Sequence, residues 1–172
     1  MPYQSTVFEF QASGVPGELY SDYPVGCDAY VINSAGVTPN VFGYGCSIGT
    51  VQGQVQVGNP GGTHVFAGFL IMPKEQASFG TGGQPLAPTL AVPDGTVGDV
   101  LNLGMIWVVL PSAAAIGDLV LYDNVTGALT TVAPGSALPT GKSWANATVQ
   151  IYPVTQTGLA VIRVTTVPVP PT

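Results

Sequence analysis

Apolar and polar positions along the chain alternate with period two far more often than they repeat every three or four residues. In Thr50-Val51-Gln52-Gly53-Gln54-Val55-Gln56-Val57 the valines fall on one side and the glutamines on the other. That pattern predicts a strand with one buried face and one that meets solvent or a partner through amides. Short β-branched or aromatic runs closed by Gly, Pro, Asn or Asp recur throughout and predict many short strands joined by turns. The clearest runs are Asp28–Asn33, Val41–Val57, His64–Ile71, Asp99–Leu110, Asp118–Thr131, Lys142–Tyr152 and Gly158–Val167. Leu119 to Val132 reads as a hairpin with Gly127 at a left-handed loop position, and Ser143–Tyr152 with Leu159–Val164 as a second. An echo between Val97-Gly98-Asp99 and Ile116-Gly117-Asp118 reads as a repeated turn leading into a strand.

Three stretches break the pattern. Residues 1–26 mix Phe8, Phe10, Val15, Pro16, Tyr20, Tyr23 and Pro24 with glycines and read as an extended N-terminal arm. Residues 73–98 are rich in Gly, Pro and Ala and read as a long surface loop, with a short strand over Leu86–Val92. Residues 168–172 are proline-rich and polyproline-like. The expected organisation is therefore one all-β domain over 1–172, with its body at 27–167.

Composition sharpens this picture. Charged residues are 7% of the 172, against about 25% in an ordinary domain. Gly (23) and Pro (16) together exceed a fifth of the chain, which works against long helices. High apolar content with little charge is the reverse of a disordered chain. The longest clean apolar run, Met105–Leu110, ends at Pro111 and is far short of the ~20 residues a membrane helix needs. Neither a membrane partner nor a signal peptide is expected, and synthesis is expected in a cytoplasm. Net charge is −6, and Lys74, Lys142 and Arg163 are the only Lys or Arg residues. Three scattered cations do not make a phosphate-binding patch, so nucleic acid is excluded as a partner. In a cytoplasmic product Cys27 and Cys46 are expected as reduced, buried thiols.

Candidate chemistry is sparse. Gly45-Cys46-Ser47-Ile48-Gly49 matches a serine-hydrolase pattern, but a strand follows it where the mechanism needs a helix, and His64 precedes most of the acids. Cys46 with His64 lacks any third group that would orient the pair. Asp118, Asp123 and Asn124 suit hairpin turns better than a calcium loop. No acid pair stands out for glycosidase chemistry. Trp107 and Trp144 lie within strand runs, where core or interface packing is favoured over a sugar platform. No catalytic residue, metal ligand or cofactor is expected.

A surface this poor in charge is poorly protected against association, which suits a protein held against fixed partners. The segment Phe10-Gln11-Ala12-Ser13-Gly14-Val15-Pro16-Gly17-Glu18 resembles the N-terminal pattern of the structural cement proteins of tailed phages. So do Asn40-Val41-Phe42-Gly43-Tyr44-Gly45 through Gly68-Phe69-Leu70-Ile71-Met72-Pro73-Lys74-Glu75, and Ile116 to Gly127. The resemblance implies an antiparallel β-sandwich or jelly-roll-like body on the outside of the head. Its partners would be the major capsid protein and, in a homo-dimer or other small homo-oligomer, further copies of itself. The contact is expected in the arm, at Phe8, Phe10, Gln11, Val15, Pro16, Leu19 and Tyr20. A tail or fibre domain and a carbohydrate-binding β-sandwich are the alternatives.

Overall fold

The computed structural model describes residues 14–20, 24–34, 40–72 and 91–166. Their strands are β1 (Gly26–Ile32), β2 (Asn40–Val41), β3 (Gly45–Ile48), β4 (Gln54–Val57), β5 (Phe66–Leu70), β6 (Ala91–Val92), β7 (Val97–Leu110), β8 (Leu119–Asp123), β9 (Leu129–Val132), β10 (Lys142–Ile151) and β11 (Gly158–Val164). The all-β expectation holds, and no helix among these residues is long and apolar enough to cross a membrane.

Nine strands form one hydrogen-bonded order, β1-β4-β3-β5-β7-β11-β10-β8-β9, and a further β1–β7 pairing closes the first five into a small barrel. β2 and β6 pair separately. The described pairs are antiparallel except β1 with β4, which run parallel at Val31↔Gln54 and Ile32↔Val55. β7 belongs to both halves. Its first part pairs with β1 and β5, and from Gly104 onward it pairs with β11.

The long β7 and the double-faced apolar runs have one cause. Leu70 and Val100 point into the barrel with Ile32, Cys46, Val55 and Val57. Their neighbours Phe69 and Leu101 point the other way, into a second core built on Ile106, Val108, Leu110, Tyr122, Val149 and Ile162. The barrel wall is thus also a wall of the second core, so both faces of these strands are buried and the sequence there is continuously apolar. Beyond Gly104 both faces remain covered: Ile106 and Val108 face that core, and Met105 and Trp107 lie in an apolar layer on the opposite face.

Both hairpins form as read. β8 pairs with β9 from Leu119↔Val132 to Tyr122↔Leu129, and Gly127 takes φ 73 in the loop. β10 pairs with β11. Of Thr50–Val57 only the second half is strand: residues 50–53 form the turn, leaving Val51 exposed, while Val55 and Val57 are buried. In the echo, Val97 already lies in β7 and not in a turn before it. The expected strand over Leu86–Val92 is seen at Ala91–Val92, the rest lying outside the described residues, as do 73–90 and 167–172.

Candidate interaction surface

The described part of the N-terminal segment lies against the body. Val15-Pro16-Gly17-Glu18 closes a β-turn, with Glu18 N donating to Val15 O at 3.0 Å. Proline at the second position and Gly17 at φ 86 in the third are the residues a type II turn requires. The chain then runs along β7: Gly17 N donates to Trp107 O (2.8 Å), Trp107 N to Glu18 O (2.9 Å) and Tyr20 N to Met105 O (3.0 Å), and Leu19 bridges Ile106. Met72 N donates to Gly17 O at 2.9 Å, tying the same segment to the end of β5. After the turn, residues 17–20 run beside β7 with an isolated bridge at Leu19, and the backbone groups of the two segments satisfy each other.

Of the expected contact residues, Phe8, Phe10 and Gln11 lie outside the described residues. Val15 is exposed, Pro16 and Tyr20 are half-buried, and Leu19 packs on the large core. Tyr20 lies edge-on to Trp107 with ring centroids 5.5 Å apart, and Tyr152 stacks on the same indole at 5.1 Å and 19°. Gly14 sits so close to that ring that a Cβ there would lie 2.4 Å from it. Met105, Val161, Ile151 and Leu159 complete this second apolar layer on the face of the sheet opposite the main core. A cleft of about 240 Å³ between Pro24, Met105 and Arg163 adjoins it.

Tyr152 escaped the sequence reading. It is half-exposed and is the one non-glycine residue with positive φ among the described residues, at 57°. Such a conformation in a bulky residue is strained and is retained where the surroundings enforce it. Trp107 is itself 5% exposed, and its ring partners are Tyr20 and Tyr152, not Trp144, so the two tryptophans do not make a paired platform.

The remaining chemical candidates are structural. Ser47 lies fully buried in β3, its hydroxyl donating to Gly58 O at 2.7 Å, so it faces no substrate. Cys46 is fully buried, and burial pushes its thiol up to about 12. Cys27 departs from the expectation of a buried thiol: a register shift at Gly26/Cys27 re-aims the strand, and the side chain is exposed. Both cysteines are free. Burial first, then Asp99 and Asp28, raise the Cys27 thiol.

Asp118 and Asp123 flank opposite ends of β8, roughly 16 Å apart at about 3.3 Å per residue, which rules out one calcium loop. Asp118 accepts from Ala115 N, and Asp123 caps its loop by accepting from Val125 N and Thr126 N while pairing with Lys142 at 2.9 Å. Among the described residues no three His, Cys, Asp or Glu side chains gather as a metal site. At the barrel–sheet junction, buried Asn59 donates to His64 O and Ser143 Oγ at 3.0 Å, reaches Tyr122 Oη at 3.3 Å, and accepts from His64 N at 2.9 Å.

Comparison with known proteins agrees with a structural role. No curated protein matches the sequence. A chain in a solved structure, "The capsid of Myoviridae Phage XM1", shares the fold with a TM-score of 0.66 at 17% identity, over 96% of this chain and 98% of that one. The family model described as structural cement protein (E217 gp24/Pam3 gp6) matches residues 3–165. The chain, with its barrel, the strands beyond it and its described N-terminal segment inside that match, belongs to the structural cement protein family.

Proposed function

We propose that this protein binds the outer surface of a tailed-phage head, bridges neighbouring major capsid subunits and stabilises the shell against the pressure of packaged DNA. The observation that carries this reading is the family match over residues 3–165, which spans both halves of the fold. The protein works without chemistry of its own: the one hydrolase-like serine is sealed inside β3. It acts as a small homo-oligomer, many weak joints giving avidity through high local concentration.

The capsid contact is made by the N-terminal segment, at Phe8, Phe10, Gln11, Val15, Pro16, Leu19 and Tyr20. The turn at Val15–Glu18 and the aromatic stack of Tyr20, Trp107 and Tyr152 support this, since they hold residues 14–20 at a fixed place on the body. With a net charge of −6 and three cations, attachment is apolar and amide-based, and nucleic acid is no partner.

The test is decoration of heads that lack the protein, read by density on the particle exterior. The full chain decorates and is retained in ~1 M salt, where the screening length is about 3 Å. A chain lacking residues 1–13 keeps its folded body and decorates weakly or not at all. Undiminished decoration by the truncated chain refutes the contact, and binding to tails in place of heads refutes the cement reading.

A further inference from the structure

The apolar layer built on Met105, Trp107 and Val161 is bordered by the cleft of about 240 Å³. Its walls are Pro24, Leu103, Gly104, Met105, Val164 and Thr165, and Arg163 is the one ionic side chain among them. Pockets for small molecules run to roughly 300–1,000 Å³, so this one suits a few aliphatic side chains better than a whole ligand. Part of the wall is the end of β11 itself. Thr165 N donates to Asn146 O at 2.8 Å, and the chain then bends at Thr166, out of the line of the strand. Val167-Pro168-Val169-Pro170-Pro171-Thr172 follows, outside the described residues and beyond the family match, which stops at 165.

We propose that this proline-rich segment turns back and seats in the cleft of its own chain, with Val169 and its neighbouring prolines against Leu103 and Met105. Reach permits it. Six residues in the polyproline conformation span about 19 Å at ~3.1 Å each. From Val164 back to Val161, which pairs with Trp107, is roughly 10 Å. Chemistry favours it as well, because aromatic-lined grooves take proline-rich chain, and Tyr20, Trp107 and Tyr152 stand beside this cleft. Proline pre-sets the conformation, so little ordering entropy opposes the contact. Charge selects among the possible occupants. Residues 167–172 carry none, whereas residues 1–13 include Glu9, 21–23 include Asp22 and 73–90 include Lys74 and Glu75, each costly to bring into an apolar cleft. Seated there, the segment lies against the same layer on which Tyr20 packs. The contact is internal to one chain and stands apart from attachment to heads.

Methyl NMR of the full chain tests it. Nuclear Overhauser contacts are expected between the Val169 methyls and the Met105 methyl, unchanged on dilution. Deleting residues 167–172 should displace the Met105 signal and leave that of Met72 in place, with circular dichroism confirming the fold. The double variant P168G/P170G keeps the length without the pre-set conformation and should weaken the contacts. Absent contacts with an undisplaced Met105 signal overturn the proposal. So do contacts that fade on dilution, which place a second copy's segment in the cleft, and a Met105 signal that responds to loss of residues 1–13 but not of 167–172.

Discussion

Replacing Gly17 with alanine tests whether the N-terminal segment is an integral part of the body. Gly17 holds φ 86 in the third position of the Val15–Glu18 turn. An L-residue there takes on roughly 1–2 kcal/mol of backbone strain. The added Cβ would also stand 2.6 Å from Phe42 Cβ and 3.2 Å from the backbone nitrogens of Gly43 and Met72. Those neighbours are a Cβ and backbone atoms just beyond β2 and β5, so something must shift, at a further cost of about 1–3 kcal/mol. The expected loss is roughly 2–5 kcal/mol, a fall of about 5–20 °C in melting temperature for a chain of this size.

The control is Gly95→Ala. Gly95 has a similar φ of 82, but a Cβ there meets nothing within 4 Å, so the change carries the strain without the collision. Thermal unfolding followed by near-ultraviolet circular dichroism compares the two, and tryptophan emission reports on Trp107, which loses its cover if the segment lifts. G17A is expected to lose clearly more stability than G95A and to shift the emission. Equal losses with unchanged emission would refute the claim that the body needs this segment.

Three further outcomes follow from particular side chains. Partial burial opposes ionisation of Asp123, but Lys142 and the N–H groups of Thr126 and Val125 outweigh it and hold the carboxyl at about 2 against an ordinary 3.8. A depressed folded-state value stabilises above the unfolded one, so this contribution, about 1 kcal/mol after solvent screening, is fully present above pH ~4 and lost between ~4 and ~2. Urea midpoints of wild type and D123N, measured from neutral to acid pH, should therefore converge in that window. Native protein should react with a thiol reagent at Cys27 alone and slowly, its thiol being raised, and C27S should show no labelling until unfolding frees Cys46. At Tyr152, glycine and alanine both remove the stack on Trp107, but only glycine relieves the left-handed strain, so Y152G should melt above Y152A by the equivalent of about 1 kcal/mol. Equal melting would mean that the backbone relaxes there.

The hairpins were legible because everything that specifies them is local. Asp123, Gly127 and the alternation on either side lie within fourteen residues, and the β8–β9 register follows from them. The barrel was not legible. Its closure depends on β1 pairing parallel with β4 and antiparallel with β7, contacts between distant segments that leave no periodic trace. Apolar runs such as Phe69-Leu70-Ile71 announce burial on both faces but do not say that two different cores lie there. Val15-Pro16-Gly17-Glu18 was read as part of an extended arm although Pro followed by Gly favours a turn, and nothing local reveals that the residues after it lie along β7. Tyr152 gave no signal at all, since its backbone is set by packing against Trp107 and Tyr20.

The shortage of charge acquires a physical meaning once the interior is seen. Lys142 and Asp123 form an ion pair where β10 and β8 meet. Other ties between elements are made by amides and hydroxyls. Asn59 joins the β4–β5 connection to β8 and β10 through His64, Tyr122 and Ser143. Asn40 ties β2 to Val92 O, and Ser34 links it to Val57 N. Buried neutral hydrogen bonds are indifferent to ionic strength, whereas surface ion pairs weaken as salt rises. A body assembled this way keeps its geometry across wide changes in its surroundings. The proposed attachment to the head would gain from the same indifference, since contacts through aromatic, aliphatic and amide groups hold in media where charge-based contacts loosen.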